Sequence, residues 1–197
     1  YRWARGRAEK VRLPGLPNDS FRTGTQTRAG DIWFGTESSG AVLIQGGRAR
    51  FLDTANGLPS NEIRAILEDT AGDVWIGTSG GLVRWRDGIE EVFTRADGLA
   101  HDLVRCLFED AQGVLWIGTY GGGVSRFLKG RFQSFSTTHG LASNAIFAIL
   151  EDDDANLWMS SNRGVFRVPR SELEEVADGR RSRLSVLRLD QEDGMVS

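Results

Sequence analysis

The chain alternates short apolar runs with glycine-rich polar turns, and this pattern recurs about every 42 residues. The dipeptide Gly-Leu begins four units, at Gly15-Leu16, Gly57-Leu58, Gly98-Leu99 and Gly140-Leu141. A tryptophan follows at a matching offset in every unit: Trp33, Trp75, Trp116 and Trp158. Intervals of 42, 41 and 42 residues between the glycines indicate a protein built from structural repeats.

The second unit shows four apolar runs. They are Ile63–Leu67, Val74–Thr78, Leu82–Trp85 and Ile89–Thr94, and the last two flank the hairpin signal Arg86-Asp87-Gly88. The first run is apolar on both alternating faces, as are its equivalents Val104–Phe108 and Ile146–Leu150. Such a strand is expected to be covered on both sides. The pattern predicts four short antiparallel strands per unit, connected as an up-and-down meander.

Repeated four-stranded units of this length predict an all-β fold, the β-propeller, in which each unit is one blade. We expect a partial propeller of about four blades in one domain, residues 1–197, with cut blades at both ends. The predicted ranges are 1–14 (partial blade), 15–56, 57–97, 98–139, 140–193 and 194–197 (start of the next blade). The small residues Ala65, Cys106 and Ala148 at the centre of the first strands suit a narrow axial channel, so Cys106 is interpreted as a core residue.

Two units depart from the template. The first strand of unit one, Phe21–Gln26, is more polar than its equivalents. In unit four, Met159-Ser160-Ser161 replaces Ile-Gly-Thr, and extra residues follow. Ser171 followed by Glu174 resembles a capping box, which predicts a short helix at 171–177 before an outer strand, Leu184–Leu189.

Composition excludes several classes of function. A net charge of −3 does not favour a nucleic-acid partner. No apolar run reaches the roughly 20 residues that span a bilayer, and the first residues lack the apolar segment of a signal peptide, so we expect no membrane contact within this segment. With one cysteine and two histidines, a zinc site is disfavoured, and we expect no metal and no cofactor.

The most conspicuous candidate for chemistry is a repeated carboxylate pair: Glu68-Asp69, Glu109-Asp110 and Glu151-Asp152. Two carboxylates can perform acid–base catalysis on a glycoside. Because catalysis needs one asymmetric constellation and these pairs recur in every blade before a turn, we interpret them as structural. The tryptophans at fixed positions are likewise expected to pack between blades rather than to stack on sugars.

Candidate ligand contacts lie in the loops that differ between units. In a meander, the loops entering the first strand and those joining the second to the third lie on one face, and variable loops on a fixed scaffold suit recognition. Of these, His101, Tyr120 and Arg163 replace smaller residues of sister units. The full candidate set is His101, Asp102, Tyr120, Asn144, Asn162, Arg163, Asn61 and Ser79.

The repeated motif resembles a known family. Gly-Leu-Pro-x-Asn, Ile-x-x-Ile-Leu-Glu-Asp-x-x-Gly-x-x-Trp-Ile-Gly-Thr and Gly-Gly-Leu/Val closely resemble the two-component regulator propeller repeat. The resemblance covers nearly the whole chain, although Phe21–Gln26 departs from it. It implies a periplasmic sensor propeller of a bacterial receptor that ends in a histidine kinase or diguanylate cyclase, often with a carbohydrate ligand.

We therefore expect a non-enzymatic sensor segment that recognises a ligand, with a small carbohydrate and neighbouring blades or domains of the same receptor as partners. We also expect the full receptor to form a homodimer. Two alternatives stay open: a structural or protein-binding propeller that uses the same face, and, less favoured, a propeller glycan lyase or hydrolase.

Overall fold

The computed structural model describes residues 2–4, 7–9 and 19–189. Strands β1 (Arg2–Ala4) and β2 (Arg7–Glu9) pair antiparallel within the range where a partial blade is expected. The rest of that range, the first Gly-Leu and the blade start expected at 194–197 lie outside the described residues.

Four sheets of four antiparallel strands follow, each with its strands adjacent in chain order. Blade 1 contains β3 (Phe21–Gln26), β4 (Ile32–Thr36), β5 (Ala41–Gln45) and β6 (Arg48–Leu52). Blade 2 contains β7 (Ile63–Glu68), β8 (Val74–Thr78), β9 (Gly81–Trp85) and β10 (Ile89–Phe93). Blade 3 contains β11 (Val104–Glu109), β12 (Leu115–Thr119), β13 (Val124–Leu128) and β14 (Arg131–Phe135). Blade 4 contains β15 (Ile146–Glu151), β16 (Asn156–Ser161), β17 (Gly164–Pro169) and β18 (Leu187–Leu189). The predicted all-β meander of propeller blades is confirmed.

The first strand of each blade is the inner strand, and neighbouring inner strands lie side by side. β3 contacts β7, β7 contacts β11, and β11 contacts β15. Within the described residues the four-stranded sheets do not close into a ring, so this part of the chain forms an open arc that runs from blade 1 to blade 4. This matches the partial propeller expected from the sequence.

The hydrophobic core lies where blades meet. Three clusters of buried side chains each combine residues of two neighbouring blades. Trp33 packs edge-on against Trp85 of blade 2, with ring centroids 5.4 Å apart, and Trp75 packs against Phe127 of blade 3 at 5.2 Å. Trp33, Trp75 and Trp116 are at most 2% exposed, whereas Trp158, in the end blade, is half-buried.

The glycine that follows the tryptophan in blades 1 to 3 permits close blade packing. A Cβ on Gly77 would lie 2.6 Å from Cγ1 of Val104, in the next inner strand. On Gly118 it would lie 2.4 Å from Sγ of Cys106 and 2.9 Å from Cγ2 of Ile146. Blade 4 has Ser160 at this place. A glycine at this position therefore lets the inner strand of the next blade pack closely.

A one-turn 3-10 helix precedes Gly-Leu in the second, third and fourth units, a detail that the apolar pattern did not predict. These turns are Thr54–Asn56, Arg95–Asp97 and Thr137–His139. Each has a capping box and ends at a glycine with φ of 100° to 107°, a conformation that favours glycine. The Gly-Leu signature thus marks a capped turn between the outer strand of one blade and the inner strand of the next.

Helix α1 spans Arg170–Ala177, in agreement with the prediction of a helix at 171–177. The predicted Ser171/Glu174 capping box is wrong, because the residue at the N-cap position is Pro169 and no side chain caps the helix. Leu173 instead anchors α1 in the core of blade 4. The outer strand is shorter than the predicted Leu184–Leu189, because Leu184 is buried and its N–H donates to the carbonyl of His139.

Candidate functional site

The aspartates of the repeated carboxylate pairs hold the tryptophans in place. The indole Nε1 of Trp116 donates to Oδ2 of Asp110 at 2.8 Å. The equivalent bonds, from Trp75 to Asp69 and from Trp158 to Asp152, are both 2.7 Å long. Asp110 also accepts from the N–H groups of Gln112 and Val114 within its turn. Each aspartate therefore holds the tryptophan of its own blade, and Asp110 also forms an ion pair with Arg170 of blade 4 at 3.6 Å.

The glutamates of the same pairs connect successive blades. Glu109 accepts from the N–H and the hydroxyl of Thr70, in the turn of the preceding blade, both at 2.8 Å. Glu68 accepts from the N–H of Arg28 at 2.8 Å, and Glu151 from that of Ala111 at 3.4 Å. The carboxylates are therefore used in building the arc, which accounts for their recurrence.

Cys106 has no sign of reactivity. Its sulfur lies against Gly118, and although the residue as a whole is half-buried, burial raises the pKa of its thiol to about 12. Because the thiolate is the reactive form, this cysteine is inert at neutral pH.

The variable loops form one end of the arc, here called the loop face; the carboxylate turns form the opposite end, here called the turn face. On the loop face, a groove of about 360 Å³ lies between blades 3 and 4. Four of the eight predicted contact residues line it: Tyr120, Asn144, Asn162 and Arg163. Thr137, Ser143, Gly121 and Ala145 complete the lining.

Tyr120 is presented rigidly at this groove. Its N–H donates to the carbonyl of Leu103 at 2.9 Å, and it forms an isolated antiparallel bridge with Ala145 of the next blade. Its ring stacks on Phe147, with centroids 6.3 Å apart and an interplanar angle of 19°, while half of the residue remains exposed. A fixed and half-exposed aromatic ring of this kind can pack against a ligand.

Two polar side chains face the same groove from blade 4. Asn162 accepts through Oδ1 from the hydroxyl of Ser143 at 2.8 Å, so its amide nitrogen is oriented away from that bond. Arg163 is exposed, and its backbone N–H is held by the hydroxyl of Ser161 at 3.1 Å. The groove therefore combines an aromatic ring with an amide and a guanidinium, a set suited to a polar ligand.

The other predicted residues have bonds within the loops. Asn61, Asp102 and Asn144 occupy one template position, and each accepts from the first N–H of the preceding 3-10 turn at 2.7 to 2.8 Å. His101 accepts from Leu103 through Nδ1, and its ring lies beside Gly121 at the groove's edge. Ser79 bonds to Glu62 in blade 2, so Ser79 and Asn61 lie apart from the groove.

A row of arginines near this face was not predicted from the sequence. In every inner strand the second residue is a β-bulge, and Arg22, Arg64 and Arg105 occupy it in blades 1 to 3. These residues lie at the start of the inner strands, next to the loop face. The sequence contains a signal for this row, because each arginine lies seven residues after the glycine of Gly-Leu.

Across residues 2–4, 7–9 and 19–189, no group of histidine, cysteine and acidic side chains is arranged to hold a metal ion. In the same residues, no helix combines the length and the apolar character needed to cross a membrane.

The repeats match a known family model. The model described as the two component regulator propeller matches residues 57–80 and 98–121, which contain the Gly-Leu loop, inner strand and Trp-Ile-Gly-Thr strand of blades 2 and 3. Each of these two segments is similar to one two-component regulator propeller repeat. The segment shared by the two repeats is the structural one described above, with its carboxylate pair and tryptophan. No curated protein sequence matches the chain.

Solved structures share the fold of these repeats. The extracellular domain of the B. thetaiotaomicron hybrid two component system BT3049 is 24% identical over 95% of this chain and 25% of that one, with a TM-score of 0.78. That of BT4673 from B. thetaiotaomicron is 22% identical over 92% and 26%, with a TM-score of 0.72. Virginiamycin B lyase from Staphylococcus aureus is 16% identical over 92% and 59%, with a TM-score of 0.67. The chain spans about a quarter of the length of the two-component structures.

Proposed function

We propose that this chain is a ligand-recognition segment of a bacterial signalling receptor, that it is not an enzyme, and that it binds its ligand on the loop face between blades 3 and 4. The observation that carries the proposal is that recurring residues and variable residues have different roles. Residues that recur in every blade are occupied in packing, whereas the exposed aromatic and polar groups of one groove differ from their sister positions. The family model and the extracellular two-component structures of the same fold support a receptor context.

A small carbohydrate is the ligand class that we propose for the groove. A sugar ring presents an apolar face that packs on an aromatic side chain, and hydroxyls that bond to amides and guanidiniums. Tyr120 would pack on the apolar face of the sugar, and Asn162 and Arg163 would bond to its hydroxyls. Extracellular neighbours of this fold support a periplasmic location for the segment.

Signalling through such a segment requires a difference in ligand affinity between two receptor states. The groove lies between two blades and is lined from both. A ligand bound there would favour the arrangement of blades 3 and 4 in which Tyr120 and Asn162 both contact it. Neighbouring blades or domains of the receptor would then transmit this change in the population of receptor states.

The test is calorimetric titration of the chain with a panel of mono- and disaccharides, both neutral and acidic. We expect at least one sugar to bind, and Tyr120→Leu and Arg163→Gln to weaken its affinity about fivefold or more, in line with the loss of about 1 kcal/mol per contact. Val92→Ala, an exposed position on the outer strand of blade 2, is the matched control. Absence of binding by every sugar, or binding unaffected by both groove variants, would contradict the proposal.

A lyase activity is the second candidate, because the virginiamycin B lyase structure shares the fold over most of this chain. A complex of that enzyme with quinupristin contains a histidine variant described as catalytically inactive. Both histidines of this chain act within loops through Nδ1: His101 accepts from Leu103 and His139 from Ser136. Incubation with quinupristin, followed by mass spectrometry, distinguishes the two functions, and we expect the substrate to remain unchanged.

A further inference from the structure

The arginine row lies where the inner strands meet. The register of each inner strand shifts at its second residue, between Phe21 and Thr23 in blade 1 and at the equivalent places in the other blades. A bulge redirects the side chain of the extra residue. The residues at these bulges, in spatial order along the arc, are Arg22, Arg64, Arg105 and Phe147.

Because β3, β7 and β11 are neighbours, the three guanidiniums form a row of like charges near the loop face. Burial, and then the charges of Arg22 and Arg105, hold the pKa of Arg64 below its usual value, while Glu37 opposes this effect. An arginine nevertheless stays protonated at neutral pH. The row therefore retains its positive charge, and the central member is destabilised by its neighbours.

The carboxylates of this region do not neutralise the whole row. Arg22 pairs with Glu37, and Arg64 pairs with Glu62. Among the described residues no carboxylate pairs with Arg105, and the buried Nε of Arg64 donates no hydrogen bond. Three guanidiniums and two carboxylates leave an excess positive charge, which a negatively charged ligand would neutralise.

The end of the row is aromatic. The Cζ atom of Arg105 lies 5.3 Å from the ring centroid of Phe147 and 6.0 Å from that of Tyr120. These rings stack on one another, and Tyr120 also lines the groove between blades 3 and 4. The charged row and the groove thus adjoin at one exposed ring.

We propose that Arg22, Arg64 and Arg105 bind a carboxylate or sulfate group carried by a ring compound that packs against Tyr120 and Phe147. The guanidinium fork matches the two oxygens of such a group, and charge-assisted bonds of this kind are among the strongest in proteins. An anion here would relieve the repulsion along the row. This inference rests on the proposed recognition function and specifies the chemistry of its ligand.

The experiment is calorimetric titration of the chain, at constant ionic strength, with glucuronate, glucose 6-sulfate, glucose and inorganic sulfate. We expect glucuronate or glucose 6-sulfate to bind about tenfold more tightly than glucose, and the preferred probe identifies the acidic group. Arg64→Gln and Arg105→Gln should each lower that affinity about tenfold. Arg131→Gln, at an exposed arginine of the outer strand of blade 3, is the matched control and should have no effect.

Two further variants keep the proposal testable if either glutamine variant fails to fold. Phe147→Arg adds a fourth guanidinium to the row and should strengthen the binding of inorganic sulfate. Phe147→Leu should weaken glucuronate or glucose 6-sulfate binding and leave inorganic sulfate unaffected, because only the ring contact is lost.

Equal affinity for glucose and the acidic probes, or acidic binding unchanged in both glutamine variants, would overturn the inference. Binding of neutral sugars that remains sensitive to Tyr120→Leu would in that case leave the proposed recognition function intact. No binding of either acidic probe would also overturn the inference, and the neutral sugars of the panel then decide the function separately.

Discussion

Each residue of the repeated carboxylate pair has a different partner, and this difference separates blade folding from blade stacking. Asp110 bonds to the indole of Trp116 in its own blade, whereas Glu109 bonds to Thr70 in the preceding one. Neighbouring residues of one motif thus stabilise two levels of structure. Removing one or the other should have distinguishable effects.

Glu109→Gln should lower the free energy of unfolding by about 1 to 2 kcal/mol, because a neutral amide with one acceptor oxygen cannot accept both bonds from Thr70 with full strength. Urea denaturation followed by tryptophan fluorescence measures the loss. The matched control is Glu91→Gln on an outer strand, which removes only an exposed ion pair with Arg84 and should cost less than about 1 kcal/mol. Equal losses in both variants would show that Glu109 does not connect the blades.

Asp152 makes stability depend on acid pH. The hydrogen bond from the Trp158 indole, followed by that from the Asn156 N–H, lowers the pKa of Asp152 to about 2. Because the folded pKa lies below the unfolded value of about 4, the stabilisation is complete above pH 4 and is lost as the pH falls to about 2.

The stability difference between wild type and Asp152→Asn, measured by urea denaturation, should therefore shrink across this pH window. Asp153→Asn, an exposed position on the same turn, is the control and should show no such trend. A difference that stays constant from pH 5 to pH 2 would contradict the role of the charged carboxylate.

Among the elements, the second strand of a blade determines how closely the next inner strand packs. Gly118→Ala places a methyl group against Cys106 and Ile146, in two inner strands at once. Overpacking of this kind typically costs about 1 to 3 kcal/mol. Thermal unfolding of Gly118→Ala should show that loss, while Gly88→Ala, with no atom within 4 Å of the new methyl group, should change stability little. If the thermal unfolding midpoint of Gly118→Ala were unchanged, blades 3 and 4 could move apart to fit the methyl group at no cost in stability.

The elements could be predicted from the sequence to the extent that hydrophobic alternation determines them. The runs at Ile63 and Val74 predicted their strands closely, because burial on both faces leaves few alternatives. The 3-10 turns were missed because their caps depend on hydrogen bonds between side chains and backbone rather than on apolar periodicity. The capping box at Ser171 failed because the helix already begins at Arg170, which leaves Ser171 inside the first turn rather than at the N-cap position.

The candidate site was predictable only in part. Variation between repeats identified Tyr120 and Arg163, and the structure places both in one groove. It could not show which pair of blades would form a groove, and therefore that Asn61 and Ser79 would lie apart from it, since every loop of the same face has equal weight in a repeat. Arg64 and its neighbours were missed because a bulge removes a residue from the alternation that assigns strand faces.

At the scale of the whole molecule, the two ends of the arc expose surfaces that are buried between blades elsewhere. Leu150 of the inner strand of blade 4 is 65% exposed, and Phe21 of the inner strand of blade 1 is 47% exposed. Such edges favour pairing with another blade. In a longer propeller, further blades would cover them.

We expect the chain to self-associate as its concentration rises, and Leu150→Lys to reduce this association without lowering stability by more than about 0.5 kcal/mol. Sedimentation velocity across a hundredfold concentration range measures it. Val92→Lys, which changes an exposed residue on an outer strand, should associate like the wild type. A wild-type chain that stays monomeric across this concentration range would contradict the claim that the ends of the arc mediate self-association.

The central claim is that the repeated motif builds the arc and that the variable loop face recognises a ligand. The most direct test is a map of backbone amide chemical-shift changes in the uniformly ¹⁵N-labelled chain during titration with the sugars and acidic probes named above. We expect the changes to cluster on the loop face, at residues 100–105, 120–122, 143–147 and 162–163. Changes clustered instead on the turn face, at residues 69–74 and 110–115, or no change with any probe, would contradict the claim.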